Sequence, residues 1–187
     1  GLDYSVVDLP GTYSLSAYSP EEIVATDFLL GDKPAVVVSV VDASNLERNL
    51  YLTLLLLEMG QNVVVALNMV DMAARRGLTI DHARLGELLG VTVVPIVARS
   101  EQGIDELMLA IKQNLDKPAA GLVIPYDGDI DATADAIEKI IAPHTAAGAR
   151  RWLALEHLEN PKSRLSRILP PEALGQVETP AENLRKH

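Results

Sequence analysis

The sequence predicts an α/β protein: a doubly wound, mainly parallel sheet followed by a small all-helical domain. Three observations carry that expectation. Runs of β-branched residues at positions 4–7, 35–41, 62–67 and 92–97 suit strands, and the longer ones are continuous rather than alternating, as parallel strands buried on both faces require. Helical patterns lie between these runs, and strand–helix–strand units cross over right-handedly. After Leu115 the strand signal stops; Asp116-Lys117-Pro118-Ala119-Ala120-Gly121 reads as a linker, and only helical patterns follow. The expected division is residues 1–116 and residues 117–187.

The elements follow in order. Tyr4-Ser5-Val6-Val7 predicts a short strand ending at Asp8. Ser19-Pro20-Glu21-Glu22 spells a capping box, with Pro20 where a missing N–H does no harm, so Glu21 and Glu22 are explained by the helix start rather than by an effector contact. The run ending at Val41 is followed by Asp42, and Ser44-Asn45-Leu46-Glu47 repeats the capping pattern. Leu46, Leu50, Leu54 and Leu57 then share one helix face, and Gly60 suits the stop. The helix through Leu54-Leu55-Leu56-Leu57 is apolar almost all round and reads as buried. Asp81 is placed to cap a helix ending at Leu89 and Gly90, and Ile104, Leu107, Met108, Ile111 and Leu115 form an amphipathic stripe. Beyond the linker, Ile130, Ala134, Ile137 and Ile141 share a face, residues 151–158 and 163–169 predict two more helices, and the tail after Pro170 is polar and weakly patterned.

Composition narrows the function. Of 187 residues, 48% are hydrophobic and 22% charged, which excludes a disordered chain. With no cysteine there is no disulfide framework, zinc–thiolate site or thiol nucleophile. The formal charge of −10 and the lack of a Lys/Arg cluster argue against nucleic acid as a partner. The longest apolar runs fall far short of the roughly 20 residues that span a bilayer. The start, Gly1-Leu2-Asp3-Tyr4, has neither a signal-peptide pattern nor an initiator Met and reads as internal, with more of the protein expected upstream. His82, His144, His157 and His187 have no metal-ligand spacing and read as surface residues. Asp127, Asp129, Asp131 and Asp135 are better explained as helix N-terminal charge than as a calcium loop.

Three short segments follow three predicted strands, at the carboxyl ends where open α/β sheets bind ligands. Asp8-Leu9-Pro10-Gly11 offers a carboxylate for a magnesium-bound water and a glycine whose N–H can approach a γ-phosphate; alone it could be an ordinary Pro-Gly turn. Asn68-Met69-Val70-Asp71 offers a carboxylate able to accept from guanine N1–H and its exocyclic amine. Adenine lacks the N1–H donor, and a site of this kind discriminates by up to roughly 10⁴–10⁵-fold. Asn and Asp also cap turns and helices, so this tetrapeptide too has a purely local reading. Val97-Ala98-Arg99-Ser100 places a small residue where a backbone N–H could meet the guanine carbonyl oxygen, and by itself says little.

The order of the three segments is the layout of guanine-nucleotide-binding domains. With residues 8–15 (Asp-Leu-Pro-Gly-Thr-Tyr-Ser-Leu), residues 41–53 (Val-Asp-Ala-Ser-Asn-Leu-Glu-Arg-Asn-Leu-Tyr-Leu-Thr) and residues 66–71, the chain resembles the cytosolic domain of the ferrous iron transport protein B (FeoB) family. The resemblance is strong to about residue 115, and the helical remainder is similar to the family's helical regulatory domain through Ile124-Pro125-Tyr126 and Arg150-Arg151-Trp152-Leu153. It implies an incomplete sheet of the P-loop GTPase type, GTP/GDP and Mg²⁺ as ligands, potassium as a cofactor of the family, and a position on the cytoplasmic face of the bacterial inner membrane. The implied partner is the iron-permeation segment of the same parent protein, and the family leaves room for a homo-oligomer. The resemblance puts Asp8 near magnesium through water, Gly11 at the γ-phosphate, Asn68, Met69 and Asp71 at the base, and Ala98 at its carbonyl oxygen. Met69 stands where most GTPases have Lys and is usual in this family. Thr12 replaces a water-orienting Gln, so slow unassisted hydrolysis is expected.

Nothing in the sequence matches G-x-x-x-x-G-K-[ST]. In the family that loop, the first switch and the potassium-coordinating Asn lie upstream of the position matching Gly1. The strand before the loop would stand between residues 4–7 and 35–41, so its absence would leave buried-looking strands facing a gap, with a distorted sheet and poor nucleotide binding. Two other readings are open: an interaction module that keeps the fold without catalysis, and another GTPase such as a ribosome-assembly factor. The acidic charge and residues 45–53 weigh against the latter.

Overall fold

The computed structural model describes residues 4–12, 14–15, 19–120 and 122–185. Three parallel strands, β1 (Val37–Asp42), β2 (Val63–Asn68) and β3 (Thr92–Pro95), form a sheet in the order β1-β2-β3. Pairing runs from Val37↔Val63 to Asp42↔Asn68, and from Val64↔Thr92 to Leu67↔Pro95. β2 lies in the centre, and Val63 to Leu67 are all buried, which is why its sequence is continuous Val/Ala/Leu.

Helices α1 (Pro20–Gly31), α2 (Leu46–Glu58), α3 (Val70–Arg75), α4 (His82–Leu89) and α5 (Ile104–Asn114) surround the sheet. Val63, Val65 and Leu67 join the main core with Leu56 and Leu57 of α2, whereas Val64, Ala66, Val94 and Ile96 pack on the opposite face with Ala110 of α5. The central strand β2 is therefore covered on both faces, as the doubly wound expectation requires, whereas β1 is buried on one face only, at Ser39 and Val41. The capping box on α1 is present: Ser19 Oγ accepts from Glu22 N–H at 3.1 Å, and the Ser19 N–H donates to Glu22 Oε2 at 3.2 Å. Asp81 caps α4, and Gly90 closes it in a left-handed conformation at φ 69°.

Two local expectations are corrected. Residues 4–7 form no strand; Tyr4, Val6 and Val7 are 42%, 89% and 52% exposed. An apolar tetrapeptide becomes a strand only by pairing, and here no ladder takes it up. β1 accordingly stands at the sheet edge, with Val38 and Val40 exposed. The second capping box is also absent: Asn45 makes no side-chain cap on α2. Asp42 does that work one turn earlier, accepting from Ser44 N–H at 2.7 Å and Asn45 Nδ2 at 3.2 Å across a 3₁₀ turn.

Helices α6 (Gly128–Ile141), α7 (Arg150–Glu159), α8 (Leu165–Ile168) and α9 (Pro171–Arg185) form a bundle in which α6 packs on α7 and α9. Ala134, Ile137 and Ile141 of α6 face inward as predicted. Asp131, Asp135 and Glu138 all pair with Arg151 of α7, so the acidic stretch serves helix packing as well as the helix start. The polar tail is a helix: Ala173, Val177 and Ala181 recur at four-residue spacing and are buried. Small side chains and the internal Pro180 hid that stripe. His157 is not a surface residue. It is 0% exposed, with Nδ1 2.8 Å from Ser163 Oγ and Nε2 3.5 Å from Glu178 Oε1. His187 lies outside the described residues.

The bundle meets the rest of the chain through α2 and α7. Tyr126 Oη donates to the buried Glu58 of α2 at 3.0 Å. Gly60 has φ 70°, and a Cβ there would lie 2.4 Å from the Gly148 carbonyl oxygen, so two backbones touch where only glycine fits. Gly77 has φ 74° with nothing within 4 Å of such a Cβ. Gly77→Ala is expected to cost about 1 kcal/mol from backbone strain, and Gly60→Ala about 2 kcal/mol more from the clash, read as shifts in urea midpoint.

Burial holds the His157 imidazole below its ordinary range, with Arg185 adding to the effect and Glu178 opposing it. The unfolded chain therefore takes up a proton first as pH falls. Stability tied to neutral His157 is complete above about pH 6.5 and declines below it. Denaturation at pH 7.5 and pH 5.5 is expected to show a smaller stability difference between the unsubstituted protein and His157→Gln at the lower pH.

Candidate functional site

The carboxyl ends of β2 and β3 carry two of the three predicted segments. β2 ends at Asn68, still paired in register with Asp42, and the Asn68 side chain reaches the two loops that follow β2 and β3. Its Oδ1 accepts from the Met69 N–H at 2.8 Å and from the Ala98 N–H at 3.1 Å. One side-chain oxygen thus joins the loop after β2 to the loop after β3. Met69 follows in the left-handed region at φ 60°, 44% exposed. That conformation costs an unbranched side chain about 1 kcal/mol and turns the chain sharply into α3. Asp71 then sits in the first turn of α3, where the helix dipole favours a carboxylate. Its side chain is 37% exposed, and it pairs at 3.6 Å with the Arg75 guanidinium, whose side chain is 74% exposed.

Ala98 opens a 3₁₀ turn through Ser100, is exposed, and carries no side chain that could block the loop. The turn is held by the antiparallel bridge Val97↔Gln102 and by Gly103, whose φ of 81° and close approach to the Pro95 carbonyl oxygen no other residue would tolerate. The structure therefore brings Asn68, Met69, Asp71 and Ala98 together on one rim. Asp8 and Gly11 lie in the irregular segment 4–12, both exposed, and neither is hydrogen-bonded to that rim. Space around Gly11 is open; a Cβ there would meet nothing within 4 Å.

Sequence reasoning passed over Asp42 as a contributor to this rim. It pairs in register with Asn68, and the 3₁₀ turn that it caps packs against α3. Burial works against its ionisation, but hydrogen bonds from Ser44 and Asn45 and the nearby Arg76 outweigh it, and its carboxyl falls below the ordinary range. The signal was in the sequence: an Asp followed two residues later by Ser is an Asx turn. A cavity of about 410 Å³ opens at the other end of the sheet, among Asn62, His82, Gly86, Thr92, Asn114 and Lys117. Asn62 and Asn114 are engaged there with backbone carbonyls and with Thr92, so the polar groups clamp α5 to the strands. Among the described residues, no group of three or more His, Asp or Glu could hold a metal ion.

A family model described as ferrous iron transport protein B matches residues 1–111. The chain belongs to the ferrous iron transport protein B family. It is 40% identical over 185 residues to the Fe(2+) transporter FeoB of Salmonella typhimurium, covering 97% of this chain and 24% of the relative. It is 41% identical over 171 residues to the Fe(2+) transport protein A/Fe(2+) transporter FeoB fusion protein of Porphyromonas gingivalis, covering 86% of this chain and 20% of that one. The chain thus spans about a fifth to a quarter of the length of these relatives. Among solved structures, an S. thermophilus NFeoB mutant bound to GMPPNP superposes with a TM-score of 0.85 at 32% identity, over 96% of this chain and 72% of that one. The FeoB G-domain from Methanococcus jannaschii is 49% identical, with a TM-score of 0.60 over 62% of this chain and 78% of that one. The parallel sheet with its helices and following bundle is therefore the FeoB cytosolic fold. Among the described residues, no helix is long and apolar enough to cross a membrane.

Removing the Asn68 bridge is expected to loosen both loops: Asn68→Ala should cost about 1 kcal/mol or more, since two backbone donors lose one acceptor. Asp71→Ala, which gives up only a half-exposed ion pair, should stay within about 0.5 kcal/mol of the unsubstituted protein. Denaturant midpoints of the two variants check the contrast.

Proposed function

We propose that this chain is the guanine-nucleotide-binding part of a bacterial Fe²⁺ transporter, and that it acts as a nucleotide switch for the membrane segment of the same parent protein. The observation that carries the reading is the Asn68 bridge, which holds the Asp71 turn and the Ala98 turn on one rim. The FeoB relatives solved with GDP or GMPPNP support it. Residues 1–116 would bind nucleotide, and residues 117–187 would form the helical regulatory part. The working position is the cytoplasmic face of the inner membrane.

In this reading Asp71 accepts two hydrogen bonds from the guanine edge, and the exposed Met69 covers the base. The Ala98 N–H already points at Asn68 Oδ1, so the guanine carbonyl oxygen would share that hydrogen in a three-centre bond. Gly11, with open space around it, lets its N–H approach the γ-phosphate. Asp8 is an exposed carboxylate at the phosphate side. One carboxylate with nucleotide phosphates is a donor set Mg²⁺ accepts, so Asp8 fits a contact through water. Magnesium there would neutralise charge on the β- and γ-phosphates. Potassium has no assigned ligand in these residues. The γ-phosphate would order the segment after Gly11, and its loss would release it.

The test is nucleotide competition on the intact transporter. GDP should bind at least about 10³-fold more tightly than ADP, and Asp71→Ala should lose most of that preference while folding normally. Equal competition by ADP, or an Asp71→Ala protein with the preference intact, would contradict the reading.

A further inference from the structure

The carboxylate proposed to read the base stands on a helix that cannot place itself. α3 has six residues, Val70–Arg75, too few for a helix to be stable alone. Its N-cap is Met69, which has no oxygen to offer, so the first N–H groups gain no side-chain cap. Its buried residue is Ala73, a small side chain that anchors little. The position of α3, and with it that of Asp71, must therefore come from its neighbours. Among the elements described above, the one packed most extensively on α3 is the 3₁₀ turn Ala43–Asn45.

That turn is built by Asp42, the last residue of β1. Both carboxylate oxygens are used: Oδ1 accepts from the Ser44 N–H at 2.7 Å, and Oδ2 accepts from Asn45 Nδ2 at 3.2 Å. The two bonds draw residues 43–45 into a tight turn before α2 begins. They also account for the missing cap on α2, since the Asn45 amide is turned to Asp42 instead. Ala43 enters the core at 1% exposed, a methyl-sized group that lets the turn lie close to α3. An Asx turn that served only to start α2 would have no reason to pack across the loop. This one packs more extensively on α3 than on α2, the helix it leads into.

Asp42 reaches α3 by two further routes. It stands in register with Asn68, the residue whose side chain holds the Met69 N–H at the start of α3. At the other end of α3, Arg76 attracts the Asp42 carboxylate electrostatically. Guanine presents two donors, N1–H and the exocyclic amine, and one carboxylate must meet both at once. Hydrogen bonds weaken steeply with misalignment, so a small displacement of α3 costs the second bond.

We propose that Asp42 is a positioning residue for base recognition: by shaping the 3₁₀ turn against α3, it sets where the Asp71 carboxylate stands, and so how sharply the site separates guanine from a purine with one donor fewer. The proposal rests on the nucleotide reading above and adds to it a residue that acts only through α3. Hypoxanthine is the discriminating base, because it keeps the N1–H and lacks the amine. The ratio of GDP affinity to IDP affinity therefore reads the second hydrogen bond alone.

The experiment measures GDP and IDP dissociation constants on the intact transporter, unsubstituted and with Asp42→Ala or Asp42→Asn, each with and without Asp71→Ala. Asp42→Ala should lower the GDP-to-IDP affinity ratio about fivefold. Asp42→Asn keeps an oxygen for the Ser44 N–H and gives up the acceptor for Asn45, so the ratio should fall only about twofold. With Asp71→Ala already present, neither change should alter the ratio further, because the group that Asp42 places is gone. A role in stability alone would weaken both nucleotides together and leave the ratio where it was. An unchanged ratio in Asp42→Ala, or a fall of the same size without the Asp71 carboxylate, would overturn the role of Asp42. Should Asp42→Ala fail to fold, an unchanged ratio in Asp42→Asn overturns it equally. An unsubstituted protein with no preference for GDP over IDP, or an Asp71→Ala protein that keeps the preference, would instead overturn the nucleotide reading, and this proposal with it.

Discussion

A single side-chain oxygen organises the rim on which the functional reading depends. Asn68 Oδ1 accepts from two backbone N–H groups that belong to loops after different strands. Parallel strands end side by side but leave their following loops free to diverge. Here the amide closes that divergence, and it can do so because β2 is the central strand and β3 delivers Ala98 beside it. Asp42 supports the same point from the other neighbour, by register with Asn68 and by the turn that it caps. β2, buried along Val63 to Leu67, lies underneath, and Asp71 beside it is half-exposed and paired with Arg75.

Much of this was legible in the residues, for physical reasons that can be named. Continuous runs of Val and Ala marked β1, β2 and β3 at 35–41, 62–67 and 92–97, although only β2 is buried on both faces along its length and Val38 and Val40 leave one face of β1 exposed. The capping box at Ser19 and the glycine stop at Gly90 are local chemistry and transfer directly to structure. The grouping of Asn68, Asp71 and Ala98 followed from the rule that strand ends in such sheets gather at one side.

What was not legible depends on tertiary context. Residues 4–7 have strand chemistry, but a strand is a paired object and the pairing is not written in four residues. His157 looks like any surface histidine until α9 covers it, and α9 itself hides behind Ala173, Val177 and Ala181. The left-handed Met69 has no local signature either; its backbone is imposed by the Asn68 bridge and the start of α3. The contacts of the bundle with α1 and α2, at Asp27–Arg164, Glu58–Tyr126 and Gly60–Gly148, join residues too far apart in the chain for any periodicity to reveal. They tie α1 and α2 to the helical bundle.

On the proposed reading, the Asn68 bridge presents a preformed purine-reading rim. Its most direct test is amide nuclear magnetic resonance of the isotopically labelled protein, following the Met69, Asp71 and Ala98 N–H signals during titration with GDP and with ADP. The account predicts that all three signals move together with GDP and stay still with ADP at the same concentration. Signals that move equally with both nucleotides, or that stay still while GDP binds elsewhere, would contradict it.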